Sequence, residues 1–412
     1  MLSEKPKLIM YCRNCWFPRT KPNLLFSSYG ICSACLKAIE RSKKSEDYWA
    51  KARIPFLNYV NSIRNRHPLF DVVVPVSGGK DSTVQVARMA ELDLRILAVN
   101  VDYGIKTEIG KKNLENIARI GMTSLLTLRP ALLRHTELIT WGLENHGDPD
   151  LFSHMLLHAA PIHIARLMNI PFMLLGENSA DLYGGSEEIA HQEEITEDWF
   201  KIFASIGFDF SELTESLVIH ESNIRMYGLP AKGYEKIAKP KMFFMSNLWN
   251  WDSLEHLKIA STYGFQPQDK PVEGTFRNYV SLDEEINRVH QYIKLLKFGY
   301  GRSTDHANEE IRLGRMSRPE ARDVILSHEL TPLNEVTLDK VSNFLNIDKL
   351  RLCTTIERFR NMSIWTRSTG QDGTPRFHIP NFLELEEACY HDLTGSLQSE
   401  SQKTKLRNTR SH

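Results

Sequence analysis

The chain has 412 residues, 42% hydrophobic and 25% charged, and its 51 Lys and Arg balance 51 Asp and Glu. That composition excludes collagen-like, disordered and disulfide-scaffold chains, and the length allows about two or three domains. No apolar run approaches the roughly 18–20 residues that span a bilayer, and residues 1–6 lack the apolar core of a signal peptide, so the expected setting is cytoplasmic, without a membrane.

The charge is unevenly spread. Residues 1–69 carry 13 basic against 4 acidic side chains, and residues 181–221 carry 11 acidic against the single Lys201. A neutral whole argues against bulk nucleic-acid binding, although the basic N-terminal end keeps that class open. Two solvated faces of opposite sign explain the blocks equally well.

In chain order, residues 11–35 are short, turn-rich and hold two Cys-x-x-Cys knuckles, Cys12/Cys15 and Cys32/Cys35. Four thiolates at this spacing suit a closed tetrahedral zinc site that does no chemistry, with an iron–sulfur cluster as the alternative. Residues 36–66 read as helix. Asp71–Val76 is an apolar run of the kind expected in a strand buried on both faces, followed by a helix over Asp81–Leu92. Between them lies Ser77-Gly78-Gly79-Lys80-Asp81-Ser82. A glycine loop between strand and helix aims backbone N–H groups at an anion, and the helix dipole favours negative charge there. Lys80 suits a phosphate and Asp81 a magnesium ion. The spacing is not that of a Walker A loop.

Arg95–Val101 is the second buried strand, ending at Asp102. A helix over 108–120, a strand over 123–128 and helices over 131–145 and 151–168 follow. His154 and His158 are four apart on the last helix, where ordinary half-buried positions explain them as well as a shared metal does. Pro171–Leu175 is a further strand, leading into Gly176-Glu177-Asn178-Ser179-Ala180-Asp181-Leu182-Tyr183-Gly184-Gly185. A carboxylate and an amide at a strand's carboxyl end suit ligand contact: Glu177 for magnesium or a nucleophile, Asn178 for a substrate amide. A surface loop with capping side chains reads the same way. Strands alternating with helices imply βαβ units and a parallel sheet.

Residues 186–221 read as a helical insertion and Met242–Leu248 as the last strand. From about 253 the chain reads as mostly helical. Lys297–His306 contains a tight Gly-Tyr-Gly-Arg loop before a helix, with Arg312 and Arg315 three apart on one face. Such arginine forks suit carboxylate or phosphate groups, or salt bridges to Glu309 and Glu310. Cys353 and Cys389 read as small buried hydrophobes. The polar end from Leu393 reads as disordered. These readings divide the chain into 1–40, 41–252, 253–392 and 393–412.

The loop at 77–82 resembles the pyrophosphate loop of the PP-loop ATP pyrophosphatases, which cut ATP between the α and β phosphates and adenylate a carbonyl oxygen. The resemblance implies that Ser77, Gly78, Gly79, Asp81 and Ser82 grip pyrophosphate and that Asn100 and Asp102 lie beside the nucleoside. With Tyr11–Cys35, the GEN…YGG loop, KFGYGRSTDHA…IRLGR and Phe359-Arg360-Asn361…Ile364-Trp365, the chain resembles the N-acetyl sugar amidotransferases of bacterial O-antigen and of pseudaminic and legionaminic acid synthesis. That likeness implies an ATP- and Mg2+-dependent conversion of an acetamido to an acetamidino group. Lys80, Asp81, Glu177 and Asn178 would be catalytic. Tyr183, Lys297, Tyr300, Arg302, Asp305, His306, Arg312 and Arg315 would bind a nucleotide-linked or nonulosonic sugar. No glutaminase nucleophile is recognisable, so the resemblance implies ammonia from a separate glutaminase with a cyclase-like partner. A tRNA-modifying adenylating enzyme is the alternative.

Overall fold

The structure, a computed structural model, describes residues 8–216, 224–230, 236–371, 373, 375–384 and 388–391, with backbone alone at 214–216 and 388–391. The two knuckles lie in loops closed by the isolated bridges Tyr11–Pro18 and Phe26–Cys32. Two helices follow, α1 (Ser33–Ser42) and α2 (Glu46–Ile63), where the sequence suggests one. The break falls in the polar run Lys43–Ser45, and Glu46 and Asp47 open α2 with charges that favour a helix N-terminus.

The central sheet is β1 (Val72–Pro75), β2 (Arg95–Val101), β3 (Met122–Leu128), β4 (Phe172–Leu175) and β5 (Lys241–Phe244). Its order is β3-β2-β1-β4-β5 and every pairing is parallel. This is the α/β sheet that the alternating pattern implies. Helices α3 (Lys80–Ala90), α4 (Glu108–Ile117), α5 (Leu132–His146) and α6 (Leu151–Leu167) connect the strands. Alternate residues of each strand enter different cores. Val73, Leu97, Val99, Met173 and Leu175 pack with α5 and α6. Val72, Val74, Ile96, Ala98, Phe172 and Leu174 pack with α3 and α4. The last strand is shorter than expected, because residues 245–247 turn into a single 3-10 turn.

The acidic insertion is not one helical block. It contains α7 (Ser179–Tyr183), α8 (Glu187–Ala190), α9 (Glu197–Trp199), a π turn over 200–204 and α10 (Ser211–Ser216). Trp199 and Phe200 anchor it in the α6 core.

After β5 come α11 (Ser253–Thr262), a helix-free stretch over 263–285, and α12 (Ile286–Phe298), α13 (Arg302–Arg312), α14 (Arg318–His328), α15 (Glu335–Leu345) and α16 (Lys349–Arg358). The helical reading of this region needs one correction. An antiparallel sheet of β6 (Thr366–Thr369), β7 (Pro375–Ile379) and β8 (Ala388–His391) closes it. The signal was only the short alternation Arg376-Phe377-His378-Ile379, in which Phe377 and Ile379 are buried. Cys353 is buried in the helical core. The side chain of Cys389 and the end from Leu393 lie outside the described residues. No described helix is long and apolar enough to cross a membrane.

Arg277 holds the helix-free stretch to α13. It is 3% exposed and donates to Glu309 at 2.7 Å and to Glu310. Removing it would strand the buried Glu309 carboxylate and leave Glu310 with Arg315 alone, so Arg277→Ala should cost about 3–5 kcal/mol. Chemical unfolding at pH 7 measures this, and a loss below about 1 kcal/mol would contradict the packing described.

Candidate active site

Strand order reverses between β1 and β4, which makes their carboxyl ends the switch point where open α/β sheets bind ligands. The loops that emerge there are Val76–Gly79 and Gly176–Asn178. The Val76 amide still donates to Val99, so the first loop starts from a fixed point. Gly79 is the N-cap of α3, its N–H donates to Ser77 Oγ at 3.2 Å, and its carbonyl accepts from Ser82 and Thr83 hydroxyls at 3.0 Å. Gly78 has φ +99°, and a Cβ there would lie 2.8 Å from the Gly110 carbonyl oxygen. Gly110 in turn admits no Cβ, because the Asp283 Cα would be 2.8 Å away. The loop, α4 and residue 283 thus stack backbone on backbone.

Asp81 lies in the first turn of α3. One carboxylate oxygen meets Lys80 Nζ at 2.7 Å and the other His256 Nδ1 at 2.7 Å. Burial acts to raise the Asp81 carboxyl, but the charges and hydrogen bonds of Lys80 and His256 outweigh it and hold it below the usual range. Glu177 behaves oppositely: burial and then the Asp81 charge push it up. Two carboxyl groups driven apart at one switch point are a functional-site signature. A magnesium ion here would find Asp81 and Glu177 as hard oxygen donors.

His256 is the residue that the sequence reading missed. It sits on α11, which Asp252 caps by accepting from Leu254 and Glu255, and Trp251 packs edge-on against its ring at 4.6 Å. Nothing in Leu254-Glu255-His256-Leu257 marks it, because its role arises from α11 packing on α3.

The other candidates divide. Asn100 Nδ2 donates to the Val76 carbonyl at 2.8 Å and fixes the loop from below. Asp102 pairs with Arg129 and accepts from the Gly104 amide at 2.9 Å. Asn178 is tied to the fold through its Nδ2, while its buried Oδ1 has no hydrogen-bond partner among the described residues. It is 1% exposed, and its Nδ2 reaches the carbonyls of Ile189, Ala190 and Gln192 at 3.0, 3.1 and 3.3 Å, tying the acidic insertion to the loop.

Beside Ser77 and Asn100 is a pocket of about 100 Å³ whose walls include Lys106 and Glu284, an ion pair at 3.0 Å. It adjoins a cavity of about 620 Å³; Asp150, His154 and Asn287 line both. Lys297, Tyr300 and Arg302 line the larger cavity, as do Lys294, His290 and Lys21 from the cysteine-bearing segment. Burial lowers Lys21, Lys294 and Lys297, and neighbouring cations add to the effect at the first two. Lys21, Lys294, Lys297 and Arg302 outnumber Asp148, Asp150 and Glu212 in this lining, an excess of cations that favours an acidic ligand.

The remaining sequence candidates stand elsewhere. Tyr183, whose hydroxyl accepts from Trp251 Nε1 at 3.1 Å, and Arg312 line a separate cleft of about 120 Å³. Asp305 pairs with Lys294 at 2.5 Å, and buried His306 hydrogen-bonds Thr275 at 2.6 Å. Arg315 does not share a helix face with Arg312, because α13 ends at Arg312. It bridges Glu310 at 2.5 Å and Asp252 at 2.6 Å. A cavity of about 790 Å³ at the amino ends of the strands, beside Pro68, Pro171 and Pro240, is at the wrong edge of the sheet for this site.

The four knuckle cysteines are buried, and their Sγ atoms lie within 4.8 Å of one another, Cys15 and Cys32 at 3.8 Å. Thiolates about 2.3 Å from a tetrahedral zinc ion are about 3.8 Å apart. The amides of Phe17 and Cys32 and the side chain of Asn14 donate to these sulfurs at 3.5, 3.2 and 3.3 Å, as donors around metal thiolates do. The set fits a structural zinc ion.

Residues 273–376 match a family model described as LPS biosynthesis protein WbpG-like, C-terminal domain. That segment supplies Asn287, His290, Lys294, Lys297, Tyr300 and Arg302 to the large cavity. Among solved structures, the chain is similar to NAD+ synthetase from Burkholderia pseudomallei, at 15% identity over 55% of this chain and 94% of that one, with a TM-score of 0.25. A likeness that distant carries no argument about function. No curated protein matches the chain.

Proposed function

We propose that the chain is an ATP-dependent amidotransferase of bacterial surface-glycan synthesis, which converts an acetamido group of an acidic sugar to an acetamidino group. The observation that carries this reading is the junction of two pockets: a glycine loop at the sheet's switch point opens onto a cationic cavity walled by the WbpG-like segment. An acetamido carbon is a poor electrophile. Its oxygen attacks the α-phosphorus of ATP, the bond to the β-phosphate oxygen breaks, and pyrophosphate leaves. Ammonia then adds to the activated carbon, and AMP leaves. The protein's part is chiefly positioning and charge stabilisation.

In this reading the N–H groups and hydroxyls of Ser77–Ser82 take the pyrophosphate, with Lys80 beside them. Asp81 and Glu177 would hold magnesium, which would supply neutralising charge to the phosphates. Asn100 and Asp102 border the nucleoside side. Lys21, Lys297 and Arg302 take the sugar's acidic group. Zinc at Cys12, Cys15, Cys32 and Cys35 is structural. Ammonia comes from a separate glutaminase with a cyclase-like partner.

The test mixes the full-length protein with Mg-ATP, ammonium chloride and a panel of diacetamido sugars, including UDP-linked uronic acids and free nonulosonic acids. Chromatography reads AMP and mass spectrometry reads the sugar. AMP with an amidine sugar is the expected result. AMP without an amidine would move the search to other acceptors, tRNA first. No AMP, even with the glutaminase pair added, would defeat the reading.

A further inference from the structure

At the neck between the two pockets, two titratable side chains line both, Asp150 and His154. Both ring nitrogens of His154 are engaged, Nδ1 with the Ala204 carbonyl and Nε2 with His158 Nε2, each at 3.3 Å. Asp150 is free. It occupies the N-cap position of α6, where an aspartate ordinarily accepts from the first turn, yet it makes no side-chain cap hydrogen bond. Asp148 accepts from the Asp150 amide at 2.9 Å and pairs with His290 at 3.0 Å. Glu284 pairs with Lys106 at 3.0 Å through one oxygen and keeps the other unpaired, but Glu284 and Asp283 line the smaller pocket alone, whereas Asp150 lines both. Among the described residues the Asp150 carboxyl has no hydrogen-bond or ion-pair partner, and it faces both the loop side and the sugar side.

We propose that Asp150 is the base that takes a proton from the attacking nitrogen when ammonia adds to the adenylated acetamido carbon. This rests on the amidotransferase reading. Ammonia donates its lone pair to the imidate carbon, giving a tetrahedral adduct with a positively charged nitrogen. The Asp150 carboxylate removes one N–H proton. The C–O bond to AMP breaks, AMP leaves with the electron pair as its phosphate anion, and an acetamidinium group remains. The proton on Asp150 passes to solvent through the larger cavity. A base for this step must stand between nucleotide and acceptor with no competing partner, and Asp150 meets both conditions.

Its environment suits the task. Burial raises the Asp150 carboxyl to about 7, Asp148 and Asp283 push it the same way, and His290 on α12 opposes them. The other charged and titratable groups of the smaller pocket are His154 on its own helix, Tyr103, whose hydroxyl donates to the Ser153 carbonyl at 2.9 Å, and the Lys106–Glu284 pair, in which burial raises the Glu284 carboxyl to about 8. A carboxyl near neutrality is ionised often enough to act and basic enough to hold a proton.

The experiment separates two half-reactions on the full chain, using Mg-ATP and the diacetamido sugar of the panel that turns over. Exchange of labelled pyrophosphate into ATP, without ammonia, reads adenylation. Amidine formation with ammonium chloride reads the second half. Asp150→Asn should keep exchange within about threefold of wild type and lose amidine formation by about 100-fold or more. At constant free ammonia, the wild-type amidine rate should rise through a limb near pH 7 that the Asn variant lacks; Asp150→Glu should keep a limb and part of the rate. Parallel loss of both half-reactions in a variant that melts like wild type would overturn the assignment, as would an unchanged limb. If Asp150→Asn does not fold, Asp150→Glu decides: a displaced limb supports the base, and an unmoved limb overturns it. Wild-type protein that exchanges no pyrophosphate with any sugar on the panel defeats the amidotransferase reading first, and this assignment with it.

Discussion

Asp81→Asn should reduce sugar-dependent release of AMP and pyrophosphate by on the order of 10³-fold, the scale seen when one preorganised charge at a transition state is removed. The effect should be this large because Asp81 organises three groups at once. Its carboxylate holds Lys80 at one oxygen and His256 at the other, and it stands opposite Glu177 at the switch point. An amide keeps the shape but cannot neutralise Lys80 or serve a cation well. The pH dependence of stability follows from the depressed carboxyl. A group whose folded-state pKa lies below its ordinary 3.8 contributes fully above that value and loses its contribution as the pH falls through the folded-state value. Melting curves of wild type and variant should therefore differ most near neutrality and converge in acid. Steady-state AMP formation checks the first expectation, and a variant within tenfold of wild type would remove Asp81 from the chemistry.

Loss of the knuckle metal should have the largest effect on stability. Cys12→Ser or Cys35→Ser should lower bound zinc from one per chain to none, drop the melting temperature by about 10 °C, and abolish amidine formation. Structural zinc contributes roughly 10–16 kcal/mol of apparent binding free energy in small fingers. If about a third of that reaches the rest of the fold, the shift follows at roughly 2–4 °C per kcal/mol. The cysteine segment is well placed to transmit it. The Trp16 amide donates to Asn308 Oδ1 at 2.7 Å, the Trp16 indole donates to the Arg318 carbonyl at 2.8 Å, and the Arg318 guanidinium lies 3.4 Å over that ring. Thr20 reaches the Phe298 carbonyl at 2.5 Å, and the next residue, Lys21, lines the large cavity. Metal analysis with differential scanning calorimetry measures this; a metal-free variant that melts like wild type would sink the zinc assignment.

What the sequence made legible was whatever local pattern encodes. β1, β2 and β4 were readable because both faces of each are buried, so the runs are almost wholly apolar, Arg95 and Asn100 of β2 being the polar exceptions. The glycine loop was readable because a turn with φ +99° at Gly78, packed closely on the Gly110 carbonyl, leaves a signature in composition. The cysteine spacing was readable for a similar reason. The rest depended on chain segments meeting across long separations. His256 reaches Asp81 from 175 residues away, and Lys21 shares a cavity with residues near 300. The part Asn178 plays in tying down the insertion was illegible because its Nδ2 partners, the carbonyls of Ile189, Ala190 and Gln192, carry no sequence signal. Asp150 was hidden for a different reason: what distinguishes it is the absence of the cap bond that its position leads one to expect.

The stack of Gly78 on Gly110 on Asp283 has a mechanical consequence. Its contacts are made by main chain, which has no rotamers with which to absorb a displacement. A displacement of the loop by a few tenths of an ångström would press on α4, and α4 in turn on residue 283. Residue 284 and its partner Lys106 form a wall of the neck between the pockets. The column leaves little play between the loop and the neck, so under the proposed function the space for the acceptor would depend partly on what occupies the loop end.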